Sequence, residues 1–137
     1  MATTTAAITL TSTDIMDSPL SISNTSTLYT AGTNTGLVET TGLARKKFAD
    51  AGNIILLDAG LAGGVAQDGA NKVFIRNINA RGDGDKYVNI LLAAVEIGRL
   101  YGGDWMLIPW SAADGKDIEF TAYDATETTL EYMVFYQ

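Results

Sequence analysis

The chain has 137 residues, with 9 Lys and Arg against 16 Asp and Glu, and its formal net charge is −7. This length suits one domain, or one domain with an arm, and can bury a core without disulfides or metals. The chain contains no cysteine and no histidine, which excludes disulfides, thiolate nucleophiles and the commonest general base and metal ligand. An acidic chain repels nucleic-acid phosphates, and Arg45-Lys46-Lys47 is too short a basic cluster to reverse this. We therefore expect no nucleic-acid partner and no cofactor.

Membrane association is also not expected. The apolar runs of the sequence fall far short of the roughly 20 residues that a membrane-spanning helix needs. The N-terminal segment 1–5 lacks the basic start and apolar run of a signal peptide. These features predict a soluble protein with no membrane partner.

Residues 1–50 are rich in Thr, Ser, Gly and Asn, with apolar residues scattered singly. Ile8 and Leu10 alternate with threonines, which predicts a short strand, and Leu28 and Tyr29 start a second one. Residues 37–48 are ambiguous, and strand or loop is favoured there over a helical turn. Because threonine suits extended backbone, we expect a Thr-rich N-terminal arm with edge strands.

Residues 51–137 carry most of the large apolar side chains. Period-two alternation and Gly/Asp turn signals predict a series of strands. The predicted strands are 53–58, 72–78, 87–93, 96–101, 105–110, 116–123 and 128–136. The glycines at 102–103 predict a hairpin between 96–101 and 105–110, and apolar residues on both faces of 128–136 predict a central strand. The fold class expected is all-β, an antiparallel, jelly-roll-like β-sandwich, with its core in residues 51–137.

The sequence offers little catalytic chemistry. Ser18 and Ser111 have no histidine to activate them, so turn positions are the favoured interpretation. Asp83, Asp85 and Asp104 are the remaining candidates, because paired acids can hydrolyse glycosides. Aspartate beside glycine is, however, ordinary turn chemistry, so we expect no enzyme.

Two glycine-containing segments, 81–85 and 60–69, offer possible binding motifs. Asp83-Gly84-Asp85 could offer oxygen ligands to calcium, but it lacks the spacing of an EF-hand loop. Arg81-Gly82-Asp83 matches the integrin tripeptide, yet it is better explained as a turn. The loop 60–69 fits neither the Walker nor the dinucleotide pattern. We expect no metal site and treat the loop 60–69 as a contact segment.

The two tryptophans have different predicted places. Trp105 lies in a strongly apolar run and is expected in the core. Trp110 follows Pro109 at a strand end, where core and interface are equally consistent with the sequence. A carbohydrate-binding surface would need Trp110, Tyr101 and Tyr123 exposed on one face.

Several short segments of residues 73–137 together form a recognisable sequence pattern. They are Phe74-Ile75-Arg76-Asn77, Tyr87-Val88-Asn89-Ile90, Ile97-Gly98-Arg99-Leu100, Gly103-Asp104-Trp105, Ile108-Pro109 and Leu130-Glu131-Tyr132-Met133-Val134-Phe135. In this respect the chain resembles small virion proteins of tailed bacteriophages, especially those of marine cyanobacterial phages. Gly102-Gly103 stands where such proteins would be expected to carry proline-glycine. The Thr-rich arm is similar to the arms by which capsid decoration proteins grip their neighbours. The resemblance implies no catalytic residues.

The resemblance and the absence of catalytic groups together predict a non-enzymatic capsid decoration (cement) protein. Its partners would be itself, with a homotrimer favoured, and the major capsid protein or another virion protein. It would be located in the virion after assembly in the host cytoplasm. Contacts are expected from residues 1–50 and from the loop 60–69. The side chains singled out are Ile8, Leu10, Leu28, Tyr29 and Trp110. The alternatives are a phage tail, fibre or neck component, a carbohydrate-binding β-sandwich module and, least favoured, an enzyme.

Overall fold

The computed structural model describes residues 3–14, 19–49, 51–60, 65, 69–82, 86–123 and 126–137. Eleven β-strands and no α-helix are assigned within these ranges, and every strand pair is antiparallel. The strands are β1 (Thr5–Ser12), β2 (Leu20–Thr27), β3 (Glu39–Thr40), β4 (Ala44–Phe48), β5 (Ile54–Leu57), β6 (Asn71–Asn77), β7 (Val88–Leu92), β8 (Val95–Leu100), β9 (Trp105–Trp110), β10 (Ile118–Ala122) and β11 (Thr128–Tyr136). The predicted all-β class with antiparallel sheets is confirmed.

The strands after the first two form two sheets. In the first sheet β3 and β4 both pair with β11, which pairs on its other side with β6, and β6 pairs with β9. The second sheet has the order β5-β10-β7-β8. From β4 onwards the pairing is nested, because β4 pairs with β11, β5 with β10, β6 with β9 and β7 with β8. The predicted central position of the last strand is confirmed.

One hydrophobic core takes side chains from both sheets. Alternate residues of β6 and β10 are buried, as Ile118, Phe120 and Ala122 show in β10. The first sheet contributes Val73, Ile75, Leu130 and Val134, and the second contributes Val88, Ile90, Ile118 and Phe120. The rings of Phe48 on β4 and Phe120 on β10 lie 3.8 Å apart between centroids. The two sheets therefore cover each other's inner faces.

The predicted hairpin across residues 102–103 is wrong. β8 pairs with β7 in the second sheet, whereas β9 pairs with β6 in the first. The intervening turn crosses between the sheets and docks on the end of β6, where the Gly103 amide donates to the Asn77 carbonyl at 2.8 Å. Glycine is required at position 102 because a Cβ there would overlap the backbone carbonyl of Ala80. The two glycines thus serve a sheet-to-sheet crossing.

The hairpin that does form in this region joins β7 to β8. Its two-residue turn is Ala93-Ala94, and both alanines have positive φ, of 52° and 62°. Turns of this kind normally carry Asn-Gly or Asp-Gly. The sequence therefore held no glycine signal for this hairpin.

β1 and β2 form a hairpin of their own, called here the N-terminal hairpin. They pair from Thr5↔Thr27 to Ser12↔Leu20 and with no other strand among the described residues. The base is tied to the body by Leu28, whose amide donates to the Thr4 carbonyl at 2.9 Å, and by Leu37, which is completely buried. The compositional boundary near residue 50 falls after β4, so the first sheet contains strands from both sides of it.

Candidate functional site

The outer face of the first sheet is largely apolar. Residues that alternate with the core positions point away from the second sheet, and the strand registers align them in rows. The rows are Met133, Phe74 and Leu107; Phe135, Lys72 and Pro109; and Glu131, Arg76 and Trp105. The central row is entirely apolar, which is unusual for a sheet face that faces water.

The start of the N-terminal hairpin lies beside this face. Between them is a groove of about 650 Å³, called here the apolar groove. Residues 4–8 form one wall, and Leu28 and Gly103 contribute to the lining. The other wall is formed by Phe74, Arg76, Trp105, Leu107, Met133 and Phe135. The groove therefore lies between the start of the Thr-rich N-terminal segment and the apolar outer face of the first sheet.

The structure corrects the place predicted for Trp105 and decides between the two alternatives left open for Trp110. Trp105 is 51% exposed and contacts Phe74, with ring centroids 6.4 Å apart, so its predicted core position is wrong. Trp110 is only 2% exposed, and its indole N–H donates to the Lys116 carbonyl at 2.7 Å. Because every residue from 105 to 110 is apolar, the sequence carried no alternation to tell the two faces apart. The exposed aromatic position belongs to Trp105, and Trp110 is part of the core.

The N-terminal hairpin has one apolar face. Ile8, Leu10 and Ile22 share this face and are 40%, 54% and 49% exposed. Leu10 and Ile22 lie directly opposite each other across the strands, whereas the other face carries small and hydroxyl side chains. Ile8 lines the apolar groove, whereas Leu10 and Ile22 are left largely exposed by the part of the body that the structure describes.

The remaining predicted contact residues divide between surface and interior. Tyr29 is 46% exposed beside the base of the hairpin, and Leu28 is 8% exposed and holds that base in place. In the loop 60–69 only positions 60, 65 and 69 are described, and its other residues lie outside the described ranges.

Charge differs between the N-terminal segment and the outer face of the first sheet. Residues 1–44 contain no Lys or Arg, and the groove wall formed by residues 4–8 is uncharged. On the outer face of the first sheet Arg76 and Lys72 stand among the apolar rows. The single carboxylate of those rows, Glu131, is paired with Arg45 at 3.0 Å. In an acidic protein this face is locally basic.

A second surface lies on the outer face of the second sheet. Tyr87 stands between Tyr101 and Tyr123, with ring centroids 5.1 Å and 4.8 Å away. The Arg99 guanidinium lies 5.1 Å from the centre of the Tyr87 ring. A hydrogen bond with Tyr101 is the main cause that raises the pKa of Arg99 above its ordinary value. We call the three rings the tyrosine row.

Two of the three aromatics required for a carbohydrate surface are therefore on one face. Tyr101 and Tyr123 are 46% and 42% exposed, whereas Trp110 is in the core. Tyr87 occupies the middle position and was missed by sequence reasoning. Its place at the start of a predicted strand was visible, but the pairing of β7 with both β8 and β10 was not.

A polar strip runs beside the tyrosine row. Thr121, Asn89 and Arg99 are aligned in one register across β10, β7 and β8. The Thr121 hydroxyl donates to Asn53 Oδ1 at 2.9 Å, and Asn53 Nδ2 donates to Glu119 Oε2 at 3.1 Å. Within the described part of the chain, Asn89 Oδ1 is buried and accepts no hydrogen bond. The strip is thus rich in hydrogen-bonding groups.

The described members of the candidate catalytic residues, Asp104 and Ser111, take part in turns. Asp104 accepts the Tyr101 amide at 3.0 Å and pairs with Arg81 at 3.2 Å, so it organises the turn that crosses between the sheets. Ser18 and the whole of the candidate calcium segment Asp83-Gly84-Asp85 lie outside the described residues. Ser111 accepts the Ala113 amide at 3.4 Å, as a turn residue does. Over the described ranges, no cluster of three or more acidic residues could hold a metal ion.

Comparisons with protein-family models, with curated proteins and with solved structures found no match to this chain. The resemblance to virion proteins therefore stays a prediction. In the parts of the chain that the structure describes, no helix is long and apolar enough to cross a membrane.

Proposed function

We propose that this chain is a non-enzymatic virion structural protein of a tailed bacteriophage, acting as a capsid decoration protein that binds copies of itself and the major capsid protein. The observation that carries the proposal is the pair of unpartnered apolar surfaces on one chain. One is the far end of the N-terminal hairpin around Leu10 and Ile22, and the other is the apolar groove with Trp105. Large apolar patches on soluble proteins mark interaction surfaces.

We also infer that the two sheets form a jelly-roll β-sandwich with the hairpin as its arm. The nested pairing of eight strands supports this, because rolling up one long hairpin pairs the first strand with the eighth and the second with the seventh. Jelly rolls recur in viral capsid domains. This agreement of fold is an analogy and adds less weight than the two surfaces.

The physical reason for a partner lies in the energetics of the hairpin. A two-stranded hairpin is marginally stable on its own in water, and this one pairs with no other described strand. Full burial of a Leu or Ile side chain contributes about 1.5 to 3 kcal/mol. A partner that covers Leu10 and Ile22 would therefore supply much of the stabilisation that the body does not.

A second copy suits these surfaces for two reasons. The hairpin lacks cations and carries Asp14, whereas the groove contains Arg76, so their charges are complementary. Contact between two different patches of one chain is heterologous and closes into a ring under cyclic symmetry. We therefore propose a homotrimer in which each hairpin tip reaches the groove of the next subunit.

Native mass, measured by light scattering on full-length protein, tests the self-association. The hairpin variant is Leu10→Ser with Ile22→Ser, the groove variant is Trp105→Ser, and Val95→Ser is the matched control. Val95 is apolar and 65% exposed, but it lies on β8 at the edge of the second sheet. We expect a wild-type trimer, loss of the trimer in both test variants and a control like the wild type. A monomeric wild-type protein at high concentration would contradict self-association.

The virion assignment needs a separate measurement. Mass spectrometry of purified particles, split into head and tail fractions, should find the chain with the heads at high copy number. Recovery with tails alone would instead favour a tail, fibre or neck component. Absence from both fractions would rule out the virion role.

A further inference from the structure

We propose that the tyrosine row and the polar strip beside it form a binding site for a neutral hexose glycan. This activity goes beyond assembly, and it uses the outer face of the second sheet and not the apolar groove. The two exposed rings, Tyr101 and Tyr123, would stack on pyranose units of the glycan.

The row is a preorganised platform. Its three tyrosines come from the ends of three adjacent strands, and the Tyr123 amide donates to the Tyr87 carbonyl at 3.2 Å. Tyr87 is held from one side by Arg99 and packs against both neighbouring rings. Because the central ring is fixed, little conformational entropy is lost when a ligand lies across the outer two.

The chemistry of the surface matches a sugar. A hexopyranose has C–H groups that pack on the face of an aromatic ring, and hydroxyls at its rim that both donate and accept hydrogen bonds. Beside the rings, Asn53, Glu119 and Thr121 are linked by hydrogen bonds and offer both donors and acceptors. The groups that this strip offers to a ligand are those of Asn53, Glu119 and Thr121, because Asn89 Oδ1 is buried.

Charge selects a neutral ligand over an acidic one. The Arg99 guanidinium lies over the Tyr87 ring, and Glu96 lies 3.5 Å from it. Glu119 adds another negative charge to the strip. Together these charges do not favour a polyanion, whereas uncharged hydroxyls meet no electrostatic penalty.

The tyrosine row suits a different kind of partner from the apolar groove. The groove wall combines Phe74, Leu107, Met133 and Phe135 with few polar groups, as the centre of a protein interface does. The tyrosine row instead has an amide, a hydroxyl and a carboxylate beside its rings, at Asn53, Thr121 and Glu119. Binding sites with a few placed polar groups beside aromatic walls are typical of small-molecule ligands.

Affinity gel electrophoresis of the full-length protein tests the site. The probes are laminarin, xyloglucan, dextran, soluble galactan and yeast mannan, each cast separately into a native gel. The test variant is Tyr101→Ala with Tyr123→Ala. The matched control is Tyr29→Ala, because Tyr29 has the same exposed fraction as Tyr101, 46%, but lies outside the row.

We expect at least one probe to retard the wild-type protein, and the double variant to bind that probe roughly tenfold more weakly or worse. Tyr29→Ala should migrate like the wild type, and Tyr101→Phe should retain binding because the ring face is kept. No retardation by any of the five probes overturns the glycan site. Equal retardation of the wild type and the double variant, or loss of retardation in Trp105→Ser instead, also overturns it.

Folding and assembly are followed in the same samples. The native mass of the double variant should equal that of the wild type. Its urea midpoint should fall only modestly, because each partly exposed ring gives up its contact with Tyr87. A loss of glycan binding with unchanged native mass then separates this site from the self-association surfaces. Loss of the trimer in the hairpin variant would leave the tyrosine row unchanged, so glycan binding could still be measured.

Discussion

The N-terminal hairpin and the two-sheet body carry the same period-two sequence pattern with opposite burial. In β6, Val73 and Ile75 alternate with Lys72, Phe74 and Arg76 and are completely buried. In β1, Ile8 and Leu10 alternate with threonines in the same way, yet they are 40% and 54% exposed. Alternation therefore identifies the residues that share a face, and it does not say whether anything covers that face.

The reason for the difference is the number of partners. The strands β6, β7, β10 and β11 have another sheet across the core, which removes their inner faces from water. Among the described residues the hairpin has no such layer, and its hydrogen bonds outside the β1–β2 pair lie at its base, around Leu28 and Leu37. A partner molecule that supplied the missing layer would stabilise its far end.

The largest predicted effect is in the body. Phe120→Ala should lower the free energy of unfolding by about 3 to 5 kcal/mol, because it removes a buried ring and leaves a cavity. The loss includes the contact with Phe48 that joins the two sheets. Urea unfolding followed by circular dichroism measures the change. A loss below about 1 kcal/mol would mean that this ring is not buried between the sheets.

The buried amide of Asn77 should rank second. Its Nδ2 donates to the Lys86 carbonyl at 2.7 Å and to the Leu100 carbonyl at 2.9 Å. Asn77→Ala should cost about 2 to 3 kcal/mol, because it leaves these carbonyls without that donor. Asn24→Ala in the exposed hairpin is the control and should change stability by no more than about 0.5 kcal/mol. Equal effects in the two variants would remove the contrast between body and hairpin.

A stabilising change is predicted at the turn between β7 and β8. Ala94 has a φ of 62°, and an L-residue in the left-handed region costs about 1 to 2 kcal/mol. Ala94→Gly should therefore raise the free energy of unfolding by about 0.5 to 1 kcal/mol after the entropy cost of glycine. Ala44→Gly, within β4, should have the opposite sign. Thermal unfolding of both variants checks the prediction.

The smallest effect on the isolated subunit is predicted in the hairpin. Leu10→Ser should change unfolding at low protein concentration by less than about 0.5 kcal/mol, because the side chain is already exposed. At high concentration the wild type should gain stability that the variant lacks, since association stabilises the folded state by mass action. A wild type whose stability does not depend on concentration would show that no second copy covers Leu10.

Much of the strand pattern could be predicted because it is local. The strands predicted at 105–110 and 128–136 match β9 and β11, and the inward face of β10 is also as expected. The hairpin across 102–103 and the core position of Trp105 were wrong. Both signals are short-range and do not identify the neighbouring strand. Glycine pairs occur in hairpins and in sheet crossings alike, and an unbroken apolar run does not show which face is covered.

The candidate sites were predicted less completely. Ile8 and Leu10 were singled out and are exposed, but the groove beside them depends on strands far away in sequence. Tyr101 and Tyr123 were named for a sugar-binding face, whereas Tyr87, which joins them, was not. Each surface is assembled by pairing between distant strands, and no local pattern records such pairing.

By itself the sequence determined the all-β class, the positions of most strands and the lack of cysteine and histidine chemistry. The strand positions follow from the pleat of an extended backbone, because its period of two residues appears directly in the order of side chains. The tertiary structure alone decided that Trp110 is covered and Trp105 is open, and that three tyrosines from separate strands form one row. Burial is a property of two surfaces in contact, and one strand's sequence describes only one of them.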